Sequence, residues 1–154
     1  GAVTDNKKGL KRAGIQMIQK LEEQEIVIDV SHLSEAGFYD VCAVTKRPFM
    51  ASHSNARACQ DQLRNLTNDQ IRILIDRKGF MGLNLYREFL GEENCGLDQI
   101  LFHAEYVLGL GGEKILGLGS DFDGCDTFPK GITGAESLEK IVELFCAIII
   151  RKIS

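Results

Sequence analysis

The sequence predicts an α/β fold of parallel β/α units, and three observations carry that prediction. Short apolar runs of strand length alternate with stretches of helical period, and glycine or proline sits at the joints. Two histidines, in Asp29-Val30-Ser31-His32 and Ala51-Ser52-His53-Ser54, close successive apolar runs, where parallel β/α folds gather their active-site groups. At 154 residues and 44% hydrophobic, the chain can bury one core. It is short of the roughly 250 residues typical of a closed eight-fold β/α barrel.

Residues 8–23 set Leu10, Ile15, Ile18 and Leu21 among lysines and glutamates at the spacing of one helix face. Ile26-Val27-Ile28 begins a first strand over residues 26–30. Ser34 is placed to cap a helix over residues 36–44, and Pro48 opens a second strand through Phe49-Met50-Ala51. Thr67-Asn68-Asp69-Gln70 has capping-box spacing: the Thr hydroxyl and the Gln amide can each satisfy a free donor at a helix start. That helix is expected to run to about Lys78, where Gly79 ends it. Phe80 to Leu85 reads as a third, buried strand, with Gly82 allowing close packing, and the charged residues 87–95 read as a loop. A helix over residues 97–110 is broken by Gly111-Gly112, residues 114–119 supply a fourth strand, and residues 135–147 form a last helix. Strands alternating with helices imply right-handed crossovers and one parallel sheet.

Composition narrows the function classes. A net charge of -4 with scattered Lys and Arg gives no basic footprint, so no nucleic-acid partner is expected. No membrane segment or signal peptide is expected. The cysteines, Cys42, Cys59, Cys95, Cys125 and Cys146, are odd in number and form no C-x-x-C, which suits reduced, buried thiols in a cytoplasmic protein.

His32 and His53 are the first candidates for chemistry; taken alone, strand-end histidines are more often polar-rim residues than ligands. The second place is the end of the fourth strand, Gly117-Leu118-Gly119-Ser120-Asp121-Phe122-Asp123-Gly124. A dinucleotide fingerprint fails there because its third glycine would be Phe122. A calcium loop fails because its fifth and sixth positions would be Cys125 and Asp126, and a P-loop lacks its Gly-Lys-Ser/Thr. What remains is Asp121 on a glycine-permitted turn, placed either to cap that turn or to shuttle a proton beside a metal.

In order along the chain, DVSHLS (29–34), ASHSNAR (51–57), LRNLT (63–67), MGLNLY (81–86) and GLGSDFDG (117–124) resemble the zinc dipeptidases of renal (membrane) type, within the amidohydrolase-like barrels. The resemblance covers about residues 8–145. It implies the C-terminal half of a TIM barrel, a single partial (β/α)-barrel domain over residues 1–154. In that family two zinc ions at the barrel mouth activate a water that attacks a dipeptide's amide carbonyl. By motif, His32 and His53 resemble the two histidine ligands of one zinc. Arg64 resembles the arginine that grips the substrate's C-terminal carboxylate, and Asp121 the catalytic aspartate that contacts its amino end and handles the proton.

Each role agrees with the residue's chemistry. Neutral imidazole is a good zinc ligand whose second nitrogen donates to an outer acceptor, for which backbone carbonyls or Asp29 are candidates. Guanidinium offers a carboxylate a planar fork that lysine cannot imitate, although an isolated arginine here would read as a solvated helix flank. His103, on a helical pattern, reads as structural, and residues 86–90 as one wall of the substrate site.

The departures are as informative. The family's H-x-D, bridging glutamate and oxyanion-steadying histidine have no counterpart, since His32 is the first histidine of the chain. At most one partial zinc site is therefore expected of the two in a complete family site. The expected partners are a dipeptide and, to cover the open edges of a half barrel, a second copy or a complementing N-terminal half. The alternatives are a catalytically inactive truncated half-barrel or interaction module and, more remotely, a barrel hydrolase of cyclic amides. Residues 147–154 diverge from the family's pattern, and a frameshift is the expected reason.

Overall fold

The computed structural model describes residues 7–153, with side chains described through residue 146. Helix α1 (Arg12–Glu23) has no side-chain cap, and Lys20 lies in its last turn against the negative end of the helix. It starts later than its apolar pattern because Leu10 is drawn off as the backbone N–H of that residue donates to Asp40 at 2.6 Å. Helix α2 (Glu35–Val44) begins at Ser34, whose hydroxyl accepts from the Gly37 N–H at 3.2 Å, the predicted cap.

Three parallel strands follow: β1 (Met50–Ala51), β2 (Phe80–Asn84) and β3 (Leu116–Ser120), in the spatial order β1-β2-β3. Helix α3 (Asn68–Asp76) connects the first two, and α4 (Arg87–Leu90) and α5 (Leu97–Gly109) connect the last two. Helix α6 (Leu138–Ile153) follows β3. The capping box is formed in both directions, Gln70 N–H to Thr67 Oγ1 at 3.3 Å and Thr67 N–H to Gln70 Oε1 at 2.9 Å. Parallel strands joined through helices make this an α/β fold of β/α units.

Two expectations need correction. The first strand is reduced to a bridge between Asp29 and Met50, held by Met50 N–H to Ile28 O and Val30 N–H to Met50 O at 2.9 and 2.8 Å. Ile26 and Val27 are 49% and 60% exposed, and β1, with which the segment forms its bridge, is itself only two residues long. The expected loop over residues 87–95 contains α4, in which Leu90 is buried and anchors the turn.

One group of buried side chains, including Val30, Phe38, Val41, Phe49, Ile71, Leu74 and Met81, fills the space between the sheet and α2 and α3. Another, Leu83, Leu85, Leu90, Ile100 and Ile141, lies under α4, α5 and α6. His103 is fully buried on α5; its Nδ1 accepts from Ala56 N–H at 3.1 Å and its Nε2 donates to Leu90 O at 2.9 Å. It is a structural histidine, as its helical setting predicts. Cys42, Cys59, Cys95 and Cys125 are free but only half-buried, and Cys146 is exposed, so the thiols are less enclosed than expected. The side chains of residues 147–154, on which the frameshift expectation falls, lie outside the described residues.

Candidate active site

The C-terminal end of a parallel sheet leaves its side chains unopposed, and here three segments converge on it. The chain leaving β1 is drawn over the end of β2 by Ser54 N–H, which donates to Gly82 O at 2.7 Å. This path needs Gly82 and Gly119: a Cβ on either would meet the Ser52 carbonyl well inside the 3.0 Å that real Cβ atoms keep. The two glycines thereby set where His53 emerges.

His53 and His32 meet with their Nε2 atoms 2.9 Å apart. Zinc–nitrogen bonds of about 2.0–2.1 Å give a tetrahedral N···N edge of about 3.3 Å, so a slight opening would admit a cation between the rings. His53 Nδ1 lies 2.7 Å from Ser52 Oγ, and that hydroxyl donates in turn to Asp29 Oδ2. Burial pushes the His53 imidazole below its usual range, Arg64 adds to the effect, and Asp121 opposes it. The ring is thus neutral, the form that ligates metals. Asp121 Oδ2 is 3.8 Å from His53 Nε2, a proximity and not an ion pair while that ring is neutral. No third His, Cys, Asp or Glu completes a metal-holding group among the described residues. The donor set therefore fits one side of a metal site and leaves the other open.

Asp121 sits in the left-handed region, φ 67° and ψ 36°, and Ser120 before it has φ 39°. The expected glycine-permitted turn is therefore made by two non-glycine residues, a strained arrangement typical of functional positions. Gly124 has a different task, since a Cβ there would strike the Asp121 carboxylate. Asn84 holds that carboxylate through Nδ2 to Oδ2 at 3.1 Å, at the point where the β2/β3 register shifts. Asn84 is itself fixed by Asn55, whose Nδ2 donates to Asn84 O at 3.0 Å and whose Oδ1 accepts from Asn84 N–H at 3.1 Å. Both amides are fully buried. Neither role was predicted, although both residues stand within the segments that carry the resemblance.

Arg64 is 4% exposed, which excludes a solvated helix flank. Its guanidinium donates to Ser54 Oγ at 3.1 Å and His53 O at 3.0 Å and lies 5.7 Å from the centre of the Phe89 ring. Burial pulls its pKa down, with Asp121 and Asp29 opposing, yet a guanidinium stays cationic. With Tyr86, Phe89, His32 and Asp121 it lines an open cleft of about 470 Å³. Cys125 also faces this cleft; burial first, and then Asp121, push its thiol up to about 12. Three of the four predicted site residues, His32, Arg64 and Asp121, thus line one cleft, and the fourth, His53, adjoins it through its contacts with His32 and Asp121.

The fold and this grouping define an α/β protein with ionisable groups at the C-terminal edge of its parallel sheet. The profile of the membrane dipeptidase family (peptidase family M19) matches residues 1–153, and the chain belongs to that family. It is 33% identical over 147 residues to an uncharacterized dipeptidase of Schizosaccharomyces pombe, covering 94% of this chain and 35% of the relative. The dipeptidase AclJ of Aspergillus oryzae is 33% identical over 149 residues, covering 95% and 35%. A metallopeptidase from Rhodobacter sphaeroides, solved with a phosphinate mimic of the dipeptide L-Ala-D-Ala, superposes with a TM-score of 0.87 at 34% identity, covering 93% of this chain and 42% of that one. The chain thus spans about a third to a half of the length of these relatives. No helix among the described residues is long and apolar enough to cross a membrane.

Proposed function

We propose that this chain is the C-terminal half of the catalytic barrel of a zinc dipeptidase and hydrolyses the amide bond of dipeptides once the remaining metal donors are supplied. The observation that carries the reading is the 2.9 Å approach of His32 Nε2 and His53 Nε2 beside Asp121. His32 and His53 would hold one zinc ion, which when bound would supply Lewis acidity and a nucleophile at neutral pH. Arg64, anchored on the His53 carbonyl and backed by Phe89 at the cleft, receives the substrate's C-terminal carboxylate. Asp121, held by Asn84, takes the substrate's ammonium group and relays the proton to the departing amine. Tyr86 and Phe89 form an apolar wall of the cleft.

Two imidazoles leave zinc under-coordinated, so the other donors come from outside the described residues, from further polypeptide such as a second copy or a complementing N-terminal half. The single partial-barrel domain has reason to accept such a partner, because Ile26 and Val27 lie exposed at one flank of the sheet and β3 forms the other edge. A cytoplasmic setting suits the free cysteines. The absence of a third donor among the described residues favours a second reading for the chain by itself, a catalytically inactive half-barrel or interaction module.

Coexpression with the portion of the Rhodobacter sphaeroides relative that the chain does not match tests the proposal. The assembled pair is expected to hydrolyse L-Ala-D-Ala, and to lose at least a hundredfold in rate in His53→Ala, through loss of a metal donor, and in Asp121→Asn, through loss of a proton-transfer group. Equal activity with and without these side chains would overturn it.

A further inference from the structure

Asp29 and Ser52 form a relay behind His53, with the Ser31 hydroxyl 3.3 Å from that of Ser52. Asp29 Oδ1 accepts from Ser31 N–H at 3.0 Å, Ser31 Oγ at 2.7 Å and Ser52 N–H at 3.1 Å, while Oδ2 accepts from Ser52 Oγ. Burial pushes the Asp29 carboxyl up, but the hydrogen bonds from Ser52 and Ser31 outweigh it and hold the group below its ordinary value. It is ionised at neutral pH and can only accept. The one hydroxyl hydrogen of Ser52 is thereby committed to Asp29, so Ser52 Oγ faces His53 Nδ1 at 2.7 Å as an acceptor. Nδ1 must carry the ring proton. Nε2 is left with its lone pair, 2.9 Å from His32 Nε2, which can approach only as the N–H donor. Ser31 Oγ also accepts the His53 backbone N–H at 3.1 Å, so the relay fixes the main chain as well as the ring.

We propose that Asp29 and Ser52 are positioning residues that lock His53 as its Nδ1–H tautomer and aim the bare Nε2 at the cation site, with His32 held in the opposite tautomer until a metal enters. The proposal rests on the metal-ligand reading of His53 for its purpose, but the tautomer itself can be read without metal. Hydrogen-bonded outer partners of this kind are worth 10- to 100-fold in metal affinity in general.

Long-range ¹H–¹⁵N correlation spectra of the metal-free chain at pH 8, for wild type, Ser52→Ala and Ser52→Thr, decide it. Wild type and Ser52→Thr are expected to show His53 protonated at Nδ1 and His32 at Nε2, whereas Ser52→Ala shows His53 exchanging between tautomers. Cobalt(II) titration of the same proteins is expected to give 10- to 100-fold weaker binding for Ser52→Ala and near-wild-type binding for Ser52→Thr. Wild-type His53 protonated at Nε2, or a Ser52→Ala protein that keeps pure Nδ1–H, overturns the relay. Should Ser52→Ala fail to fold, the wild-type spectrum still decides. The predicted tautomers without any cobalt binding by wild type would support the relay and overturn the metal reading instead.

Discussion

Replacing Gly119 with alanine tests how the sheet delivers His53 to the site. The added Cβ would run into the Ser52 carbonyl and lie 2.9 Å from His53 Cα, closer than the 3.0 Å that real Cβ atoms keep. Both obstacles are backbone, so no side-chain rotation relieves them. The Ser52–His53 segment must move outward, which strains Ser54 N–H to Gly82 O and Ser52 N–H to Asp29, bonds of 2.7 and 3.1 Å. Overpacking costs about 1–3 kcal/mol. Two weakened hydrogen bonds add roughly 1 kcal/mol each, for a total of about 3–5 kcal/mol. Gly109, at the end of α5, has nothing within 4 Å of its Cβ position, and Gly109→Ala is the control, expected to be neutral or stabilising by about 0.5–1 kcal/mol. Urea denaturation followed by circular dichroism reads both. A Gly119→Ala protein as stable as Gly109→Ala would refute the claim that Gly119 makes room for the Ser52–His53 backbone.

Other predictions follow from buried polar groups. Burial pulls the pKa of His103 below its usual value, and Leu90 O opposes this only in part. Its two hydrogen bonds are satisfied by the neutral ring, so the unfolded chain takes up a proton near pH 6.5 that the folded chain refuses. Stability is therefore expected to fall as the pH drops below about 6.5, with a shallower fall in His103→Gln; equal slopes in urea midpoints between pH 7.5 and 5.5 would contradict this. Asn84→Ala removes the donor to Asp121 and the acceptor of Tyr86 N–H at 2.6 Å, and is expected to cost about 1–3 kcal/mol in the same denaturation assay.

Local patterns carried much of this structure. The Thr67 capping box and the Ser34 cap are chemistry between residues three apart, and both form as the spacing predicts. The two histidines were legible because each closes an apolar run, although only the second of these runs forms a strand. Strand length was less so: Ile26 and Val27 have β-type side chains, yet extended pairing depends on a neighbour that sequence pattern cannot count. Asn55 and Asn84 were missed because their mutual hydrogen bonds join residues 29 positions apart, and nothing local marks a buried amide. Ser120 and Asp121 adopt the left-handed conformation without the glycine that would announce it. Asp29 was visible as an acceptor for an imidazole, but the intervening Ser52 hydroxyl emerges only when the two segments are side by side.

Equilibrium dialysis of zinc against the wild-type chain and the His32→Ala and His53→Ala variants bears most directly on the claim that these two imidazoles form one half of a metal site. Wild type is expected to retain up to one zinc ion per chain, weakly because half of the donors are missing, and each variant to lose it. Zinc retained equally by both variants would contradict the account.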